Sequence, residues 1–244
     1  MISYNNISDF KEIHYNGIDV SKAYTSDGLV WSKTSPEPPQ PTGTTTAITY
    51  TASSKLNVKL SAFTPNATAE TFADGVGTIE FANNVTAIGE AAFVNCRSLT
   101  SINIPNSVTT IGGYAFWKCE SLSSITIPSG ITIIGEWAFN ECIALTSCTI
   151  GSGVTRIGYY AFTSCSGLTS VTIPSGVTRI GEYAFEGCTR LTSIKVEATT
   201  PPKLEVYGGQ FYNTNECPIY VPYASVSAYQ TAWDDYANRI QAIQ

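Results

Sequence analysis

The chain has 244 residues, of which 43% are hydrophobic and 11% aromatic, so it can bury a sizeable core in one or two domains. Only 13% of the residues are charged, and 13 Lys and Arg against 19 Asp and Glu leave a net charge of −6. This balance argues against nucleic acid or direct membrane binding, because phosphate-bearing partners are bound through clustered Lys and Arg.

The N-terminal sequence predicts a small β module over residues 1–33. Its first six residues lack the basic region and apolar run of a signal peptide, and no stretch of the chain approaches the about 18 apolar residues of a spanning helix. Asn16-Gly17 and Ser26-Asp27-Gly28 are hairpin turns between apolar segments. Two hairpins bury little surface, so we expect the module to pack against the rest of the chain or a partner. His14, the single histidine, is interpreted as a solvated or packing residue.

A Pro- and Thr-rich linker over residues 34–46 follows this module. Residues 47–84 then hold extended segments at Ile48 and at Leu56–Leu60, followed by Thr78–Phe81. The last of these aligns with a strand located 23 residues later. Residues 47–84 are therefore predicted to form an N-terminal cap and an atypical first coil.

Residues 85–197 consist of a 23-residue repeat in five copies. Phenylalanine recurs at Phe93, Phe116, Phe139, Phe162 and Phe185, and glycine, cysteine and leucine recur in the same phase from Gly89, Cys96 and Leu99. In each copy, Leu-x-x-Ile-x-Ile predicts a short strand with one buried face. The segment equivalent to Gly112–Cys119 predicts one or two turns of helix, whose first glycine permits an unusual φ. Because such a unit cannot bury its apolar face alone, the copies are predicted to stack into a solenoid with parallel strands.

Residues 198–244 are predicted to close the other end of the solenoid. Phe211 takes the phenylalanine position of a degenerate repeat. Helical spacing then relates a set of apolar residues that follows Ser225, a plausible N-cap: Val226, Tyr229, Trp233, Tyr236 and Ile240. We expect one amphipathic helix to lie over the open end of the core.

The motif Ile-Gly-x-x-Ala-Phe-x-x-Cys-x-x-Leu-x-x-Ile-x-Ile-Pro resembles the BspA-like, or treponemal-type, leucine-rich repeats, most clearly over residues 78–197. The chain departs from this motif at Cys148, in a strand position, and at Gly151 and Glu197, where the strand-ending Pro stands. The resemblance implies an α/β fold, namely a right-handed leucine-rich-repeat solenoid of 23-residue coils with short parallel strands and short helices. It also implies adhesion or ligand binding, in bacterial surface, secreted or phage-associated proteins, and no enzymatic activity.

The residues predict no catalytic, cofactor-binding or metal-binding site. Nucleophile elbow, phosphate loop, calcium loop and dinucleotide fingerprint are all missing, and no Cys-x-x-Cys pair indicates structural zinc. Five of the seven cysteines stand in one repeat column, which predicts a buried ladder of small apolar thiols. Cys148 is expected to face the core beside this ladder. Cys217, in the C-terminal cap, is the one cysteine to be watched for reactivity.

Two surfaces of the predicted solenoid are candidate ligand-binding sites. The outward positions of the strands form an uncharged hydroxyl-rich array, whose central members are Ser124, Thr126, Ser147, Thr149, Ser170 and Thr172. Ligand binding is one interpretation of this array, and soluble, β-tolerant filler is the other. An aromatic column is expected on the helical side, and its members with their flanking rings are Tyr114, Trp117, Trp137, Tyr159, Tyr160 and Tyr183. These rings either contact a partner or stack on one another to shield the coil edges.

We interpret the chain as a non-enzymatic recognition protein, with two hypotheses for its role. In the first, it is an extracellular or cell-surface adhesin that binds a protein or glycan on a host or neighbouring cell. In the second, it is a phage or prophage component of a virion, joined to it through the N-terminal hairpins. The ligand, the face that binds it and the oligomeric state are left open by the sequence.

Overall fold

The computed structural model describes residues 13–15, 18–20, 23–25, 28–30, 47–205 and 208–243. The chain divides into two compact units, Met1–Gly43 and Thr44–Gln244. In the first unit, β1 (Ile13–Tyr15) pairs antiparallel with β2 (Ile18–Val20), and β3 (Ala23–Thr25) pairs antiparallel with β4 (Gly28–Val30). These are the two predicted strand pairings. The predicted turn residues between the paired strands, and the linker over residues 34–46, lie outside the described residues, apart from Gly28.

The second unit opens with antiparallel strands, which are β5 (Ala47–Ala52), β6 (Phe63–Thr64), β7 (Ala67–Ala73) and β8 (Val76–Phe81). β6 pairs with β9 (Ala87–Ile88), and β5 pairs with β10 (Leu99–Asn103). β5 thus lies between β8 and β10. β8, the strand of the predicted first coil, therefore does not pair with β10 directly but is connected to it through β5, which is antiparallel to both.

The segment predicted as a strand at Leu56–Leu60 is instead irregular and leads into a 3-10 turn at Leu60–Ala62. The Lys59 backbone N–H donates to the Ala92 carbonyl, so this stretch bonds to the turn side of the first repeat rather than to a strand.

Two sets of parallel strands build the repeat stack. The two-residue strands after β9 are β11 (Thr110–Ile111), β13 (Ile133–Ile134), β15 (Arg156–Ile157), β17 (Arg179–Ile180) and β19 (Lys203–Leu204). The longer strands after β10 are β12 (Ser124–Ile127), β14 (Ser147–Ile150), β16 (Ser170–Ile173), β18 (Ser193–Val196) and β20 (Ile219–Val221). Ile133 pairs with Arg156 and Arg156 with Arg179, and Ser124 likewise pairs with Ser147. The fold is therefore a solenoid-like stack, and its right-handed sense stays a prediction.

The segments predicted as short helices are turns, so the α/β class is wrong for the repeats. Tyr114 and Lys118 have left-handed backbone, with φ of 56° and 59°, and equivalent residues do the same in the other copies. The N–H of Phe116 donates to the Ala138 carbonyl of the next coil, whereas the N–H of Cys119 turns back to Phe116. A helix would keep nearly all these bonds within the segment. In these segments, hydrogen bonds between coils replace the bonds that a helix would form within itself.

The glycine column is needed for close approach between coils and not for an unusual φ, which corrects the prediction. A Cβ on Gly135 would lie 2.4 Å from the carbonyl carbon of Gly112, and one on Gly181 would lie 2.5 Å from that of Gly158. No side chain fits between backbones at this distance. The left-handed conformations belong instead to the aromatic positions, such as Tyr114.

A stack of phenylalanine rings runs through the core of the second unit. Rings from Phe93 to Phe185 follow one another at centroid distances of 5.1–5.2 Å with interplanar angles of 3–7°. Phe63 meets the stack edge-on at one end, and Phe211 extends it to Trp233 at the other. The cysteine ladder beside this stack is buried as predicted. Each thiol from Cys119 to Cys188 also donates to a phenylalanine carbonyl of the preceding coil, at 3.1–3.3 Å.

The C-terminal cap has one short helix where a longer one was predicted. A 3-10 turn at Tyr223–Ser225 leads into α1 (Val226–Ala232), which a second 3-10 segment, Asp234–Arg239, follows. Trp233 interrupts the helix with φ −121° and ψ 54°, and its indole N–H donates to the Pro202 carbonyl. Ser225 makes no cap bond, because its hydroxyl donates to the Thr199 carbonyl. β21 (Ile240–Ala242) then pairs parallel with β20. No helix in the described ranges is long and apolar enough to cross a bilayer.

Cys148 offers a test of core packing in the repeat strands. It pairs with Ile125 in the inward position and packs half-buried against the core, as expected, while Ile125 and Val171 are 3% exposed. We expect Cys148→Val to raise the free energy of unfolding by about 0.5–1 kcal/mol, because it replaces a thiol by a more apolar side chain at a position that is still partly exposed. Urea denaturation measures this change. Cys142→Val, at a fully buried ladder position, is the matched control and should destabilise by about 1–2 kcal/mol. An equal effect of the two substitutions would contradict the interpretation.

Candidate binding surfaces

Two columns of hydroxyl side chains are occupied by hydrogen bonds within the stack. One column precedes the longer strands, and its side chains donate to a carbonyl of the neighbouring strand or coil at 3.0–3.3 Å: Thr100, Ser123, Thr146, Thr169 and Thr192. The second column lies beside the two-residue strands and donates in the same way at 3.0–3.2 Å: Thr86, Thr109, Thr155 and Thr178. These hydroxyls join one coil to the next, so their hydrogens are already used and are not available as donors to a ligand.

A third set of hydroxyls, the strand-face hydroxyls, is exposed. It consists of Ser124, Thr126, Ser147, Thr149, Ser170 and Thr172, which point outward as predicted. No side chain of this set forms a hydrogen bond within the part of the chain that the structure describes, whereas Ser101, one strand earlier, bonds to Thr51 at 2.7 Å. Ser124 stands in register with Ser147, and Thr126 with Thr149. The set therefore offers unused donors and acceptors on a regular, uncharged surface.

The aromatic column consists of Tyr114, Trp137, Tyr160 and Tyr183. Its rings are half-buried and stack in succession, at centroid distances of 6.0, 4.2 and 5.2 Å and interplanar angles of 9°, 15° and 25°. Successive rings cover one another's faces along the column. Along most of its length the column therefore presents ring edges, the arrangement expected for rings that shield the coil edges.

The two flanking rings lie in different places. Trp117 packs edge-on against Tyr114 at 5.7 Å, with the Lys118 ammonium 4.9 Å from its ring centre. Tyr159 is separated from the column and lies under the Arg156 guanidinium at 5.4 Å. The carboxylate of Glu205 raises the pKa of Tyr159. The prediction that both rings flank one column is therefore correct for Trp117 alone.

A charged cluster around Glu205 was not predicted from the sequence. Its nearly buried carboxylate lies 3.2 Å from Arg156 and 3.7 Å from Arg179, which stand opposite each other on β15 and β17. Like charges in this register repel, so the carboxylate between them is a structural requirement. The two arginines at the same repeat position were a signal that a compensating carboxylate must lie near.

Most of the cysteines are buried, and burial in apolar surroundings disfavours the reactive thiolate. Burial raises the pKa of the Cys142 thiol to about 12 and that of Cys96 to about 11. Cys217 is 4% exposed, and burial raises its pKa although the neighbouring Arg239 lowers it in part. The burial and the raised pKa argue against reactivity at Cys217. In the described ranges, no group of three or more His, Cys, Asp or Glu side chains could hold a metal ion.

A family model described as the BspA type leucine rich repeat region matches residues 69–192 in six copies. No curated protein gives a significant match to the sequence. Among solved structures, a leucine-rich repeat protein of Treponema pallidum is 25% identical, with a TM-score of 0.53, and the match covers 66% of this chain and 80% of that one. This likeness supports the repeat fold.

Two further solved structures match with lower TM-scores. A leucine-rich cell surface protein of Faecalibacterium prausnitzii is 29% identical, with a TM-score of 0.47, and the match covers 60% of this chain and 48% of that one. A leucine-rich repeat protein of Bacteroides ovatus is 28% identical, with a TM-score of 0.42, covering 62% of this chain and 45% of that one. The matched region thus spans about half the length of either protein.

Proposed function

Because the chain belongs to the BspA-type leucine-rich repeat family, we propose that it is a non-enzymatic recognition protein that binds a protein partner through its repeat surface. The partner is proposed to lie on a host or neighbouring cell, with this chain acting as an extracellular or cell-surface adhesin. Repeat stacks suit this role, since they present extended surfaces on which many weak contacts add up.

One observation carries the proposal, namely that the strand-face hydroxyls are left without internal partners. The hydroxyls on either side of the strands are used to join the coils, while those of Thr126 and Thr149 point outward and are exposed. Exposed hydroxyls on a rigid sheet can donate and accept hydrogen bonds to a partner with little loss of side-chain entropy. An uncharged array at this position therefore favours a ligand surface over filler.

Charge placed on this array tests the proposal. We expect Thr126→Lys/Thr149→Lys to weaken binding to the partner by about tenfold or more, because two ammonium groups obstruct the centre of the contact surface. Binding of the full chain to arrays of matrix proteins and glycans measures the effect. The control is Ser152→Lys/Ser175→Lys, which adds the same charge at two exposed turn residues. Equal loss in both variants, or binding to glycans alone, would overturn the proposal.

The aromatic column is the alternative binding surface, and the same binding assay distinguishes it from the strand face. Trp137→Ala/Tyr160→Ala removes the closest ring pair, 4.2 Å apart, without touching the strand face. If only this variant loses binding, the column and not the strand face binds the partner. The virion hypothesis rests on the N-terminal module, most of which lies outside the described residues, and it stays a prediction.

A further inference from the structure

The aromatic column ends in an open cleft rather than in another ring. Tyr160, Tyr183, Glu186, Gly209 and Tyr212 line this cleft. In the degenerate repeat, the position that follows Tyr183 in the column is Gly209, which has a left-handed φ of 74° and no side chain. The Tyr183 ring lies so close that a Cβ on Gly209 would come within 2.3 Å of its Cε1. The stack of rings therefore ends at Tyr183, and no ring of the next coil continues it.

Tyr212 also lines this cleft. Its side chain is 65% exposed, one of the largest apolar exposures among the described residues. Its backbone is nevertheless fixed, since its N–H donates to the Gly209 carbonyl and its carbonyl accepts from the Gly187 N–H. With the backbone fixed, only the two side-chain torsions of Tyr212 have to be ordered when a ligand binds, which limits the entropy cost of binding.

The charge of the cleft is negative and unbalanced. Neither Glu182 nor Glu186 forms an ion pair with any Lys or Arg of the described ranges, although other carboxylates of the stack do. Glu186 is half-buried, and burial raises its pKa. Burial also raises the pKa of Tyr160, and the carboxylates of Glu182 and Glu186 raise it further. A partly desolvated carboxylate without a partner is a cost that a cation would remove.

We propose that this cleft binds an arginine or lysine side chain of the partner protein, between the rings of Tyr183 and Tyr212 and against the carboxylate of Glu186. The inference deepens the proposed function and rests on it for the identity of the partner as a protein. Aromatic faces attract a cation within about 6 Å of the ring centre, and a carboxylate beside them adds a charge-assisted hydrogen bond. The planar guanidinium of arginine suits both contacts.

A neutral sugar is the other occupant with chemistry close to this cleft. It would stack on a ring, but it would leave the charge of Glu186 and Glu182 without a counter-ion. The cleft lacks a described cation to supply that counter-ion, so charge complementarity favours a basic side chain.

The first experiment uses the full chain and a defined probe, N-acetyl-arginine amide, with the uncharged N-acetyl-citrulline amide as its near-isosteric control. Binding is followed by NMR of tyrosine-labelled protein. We expect saturable shifts at Tyr183 and Tyr212 with the arginine probe, and at least about tenfold weaker binding of the citrulline probe. Glu186→Gln and Tyr212→Ala should each weaken binding of the arginine probe by about fivefold or more.

Matched variants control for general effects of charge and exposure. Glu136→Gln removes a carboxylate two coils away, and Tyr223→Ala removes a ring that is 83% exposed outside the cleft; both should change binding less than about twofold. Absence of saturable shifts with the arginine probe overturns the inference. So does binding of the citrulline probe, or of cellobiose as a neutral sugar, with the same affinity as the arginine probe. A loss of affinity in Glu136→Gln equal to that in Glu186→Gln overturns it as well. The two proposals can fail separately. If the chain binds no protein on the arrays, the proposed function is overturned. If the arginine probe does not bind the chain, only the proposal for the cleft is overturned.

Discussion

Replacing Phe139 by alanine is expected to lower the free energy of unfolding by about 3–5 kcal/mol, the range for a fully buried aromatic residue. Phe139 is 0% exposed, and its ring lies 5.1 Å from those of Phe116 and Phe162. Each coil contacts only its neighbours, so the cavity would weaken both interfaces of the central coil at once. Neighbouring coils cannot close the gap, because the strands and glycine column hold them in place.

Urea denaturation followed by circular dichroism and tryptophan fluorescence measures this loss. Phe139→Leu, which keeps most of the volume, should lose less than about 1.5 kcal/mol. Trp137→Ala, in the half-buried column, should also lose less than Phe139→Ala because its ring is already partly in water. We further expect Phe139→Ala to broaden the transition, since a weakened central interface lets the two halves unfold separately. A loss below about 1 kcal/mol for Phe139→Ala would show that the ring stack does not carry the stability of the core.

The repeat period made the columns of the stack predictable. Because the repeat has a period of 23 residues, equivalent positions in its five copies have the same environment. Phe139 and Cys142 therefore had to point inward if their equivalents did. Alternation along the strands likewise predicted that Thr126 and Thr149 point outward. These predictions needed only the phase of the sequence and no detail of the backbone between the columns.

The backbone of the turn segments could not be predicted in the same way. Apolar residues at Ala115, Phe116 and Cys119 fit the face of a helix, and the bulky Tyr114 gave no indication of a left-handed φ. Its conformation depends on the hydrogen bond from its N–H to the Glu136 carbonyl of the next coil. A contact across coils overrides local propensity here, as tertiary context often does.

Contacts between residues far apart in the sequence could not be predicted for a related reason. The carboxylate of Glu205 lies between Arg156 and Arg179 although 49 residues separate it from the first. The cap that contains Glu205 is a degenerate repeat, so no period relates it to the arginines. The cleft at Gly209 was missed for the same reason, since it arises where the period breaks.

The second large effect is expected at Arg239 in the C-terminal cap. Arg239→Met should lower the free energy of unfolding by about 3–5 kcal/mol, because it removes the hydrogen bonds of a charged donor to buried acceptors at about 1–3 kcal/mol each. Arg239 is 5% exposed. Its guanidinium donates to the carbonyls of Cys217 at 2.9 Å and Phe211 at 3.2 Å, and to the Thr214 hydroxyl at 2.8 Å. Its ion partner Glu216 is 3.8 Å away and exposed, so the hydrogen bonds and not the ion pair dominate.

The position of Arg239 explains why the loss should be large. Within the stack, the Phe139 carbonyl accepts from the Cys165 thiol of the following coil. The last thiol of the ladder is that of Cys188, which donates to the Phe162 carbonyl. In the last coil Thr214 stands at the cysteine position, and the Phe211 carbonyl accepts both from the Thr214 hydroxyl and from the guanidinium of Arg239. Arg239 and Thr214 therefore hold together, by their own hydrogen bonds, the last coil that the thiol ladder does not reach.

Two controls separate this role from a general effect of lost charge. Arg190→Met removes the charge of an exposed arginine and should change stability by less than about 0.5 kcal/mol. Arg239→Lys keeps the charge but not the planar fork, so it should recover only part of the loss. Full recovery by lysine would mean that charge alone is needed at the cap. An effect of Arg239→Met no larger than that of Arg190→Met would mean that the last coil does not need the guanidinium as a donor, and that the aromatic contacts of Trp233 and Tyr236 are sufficient to close the core.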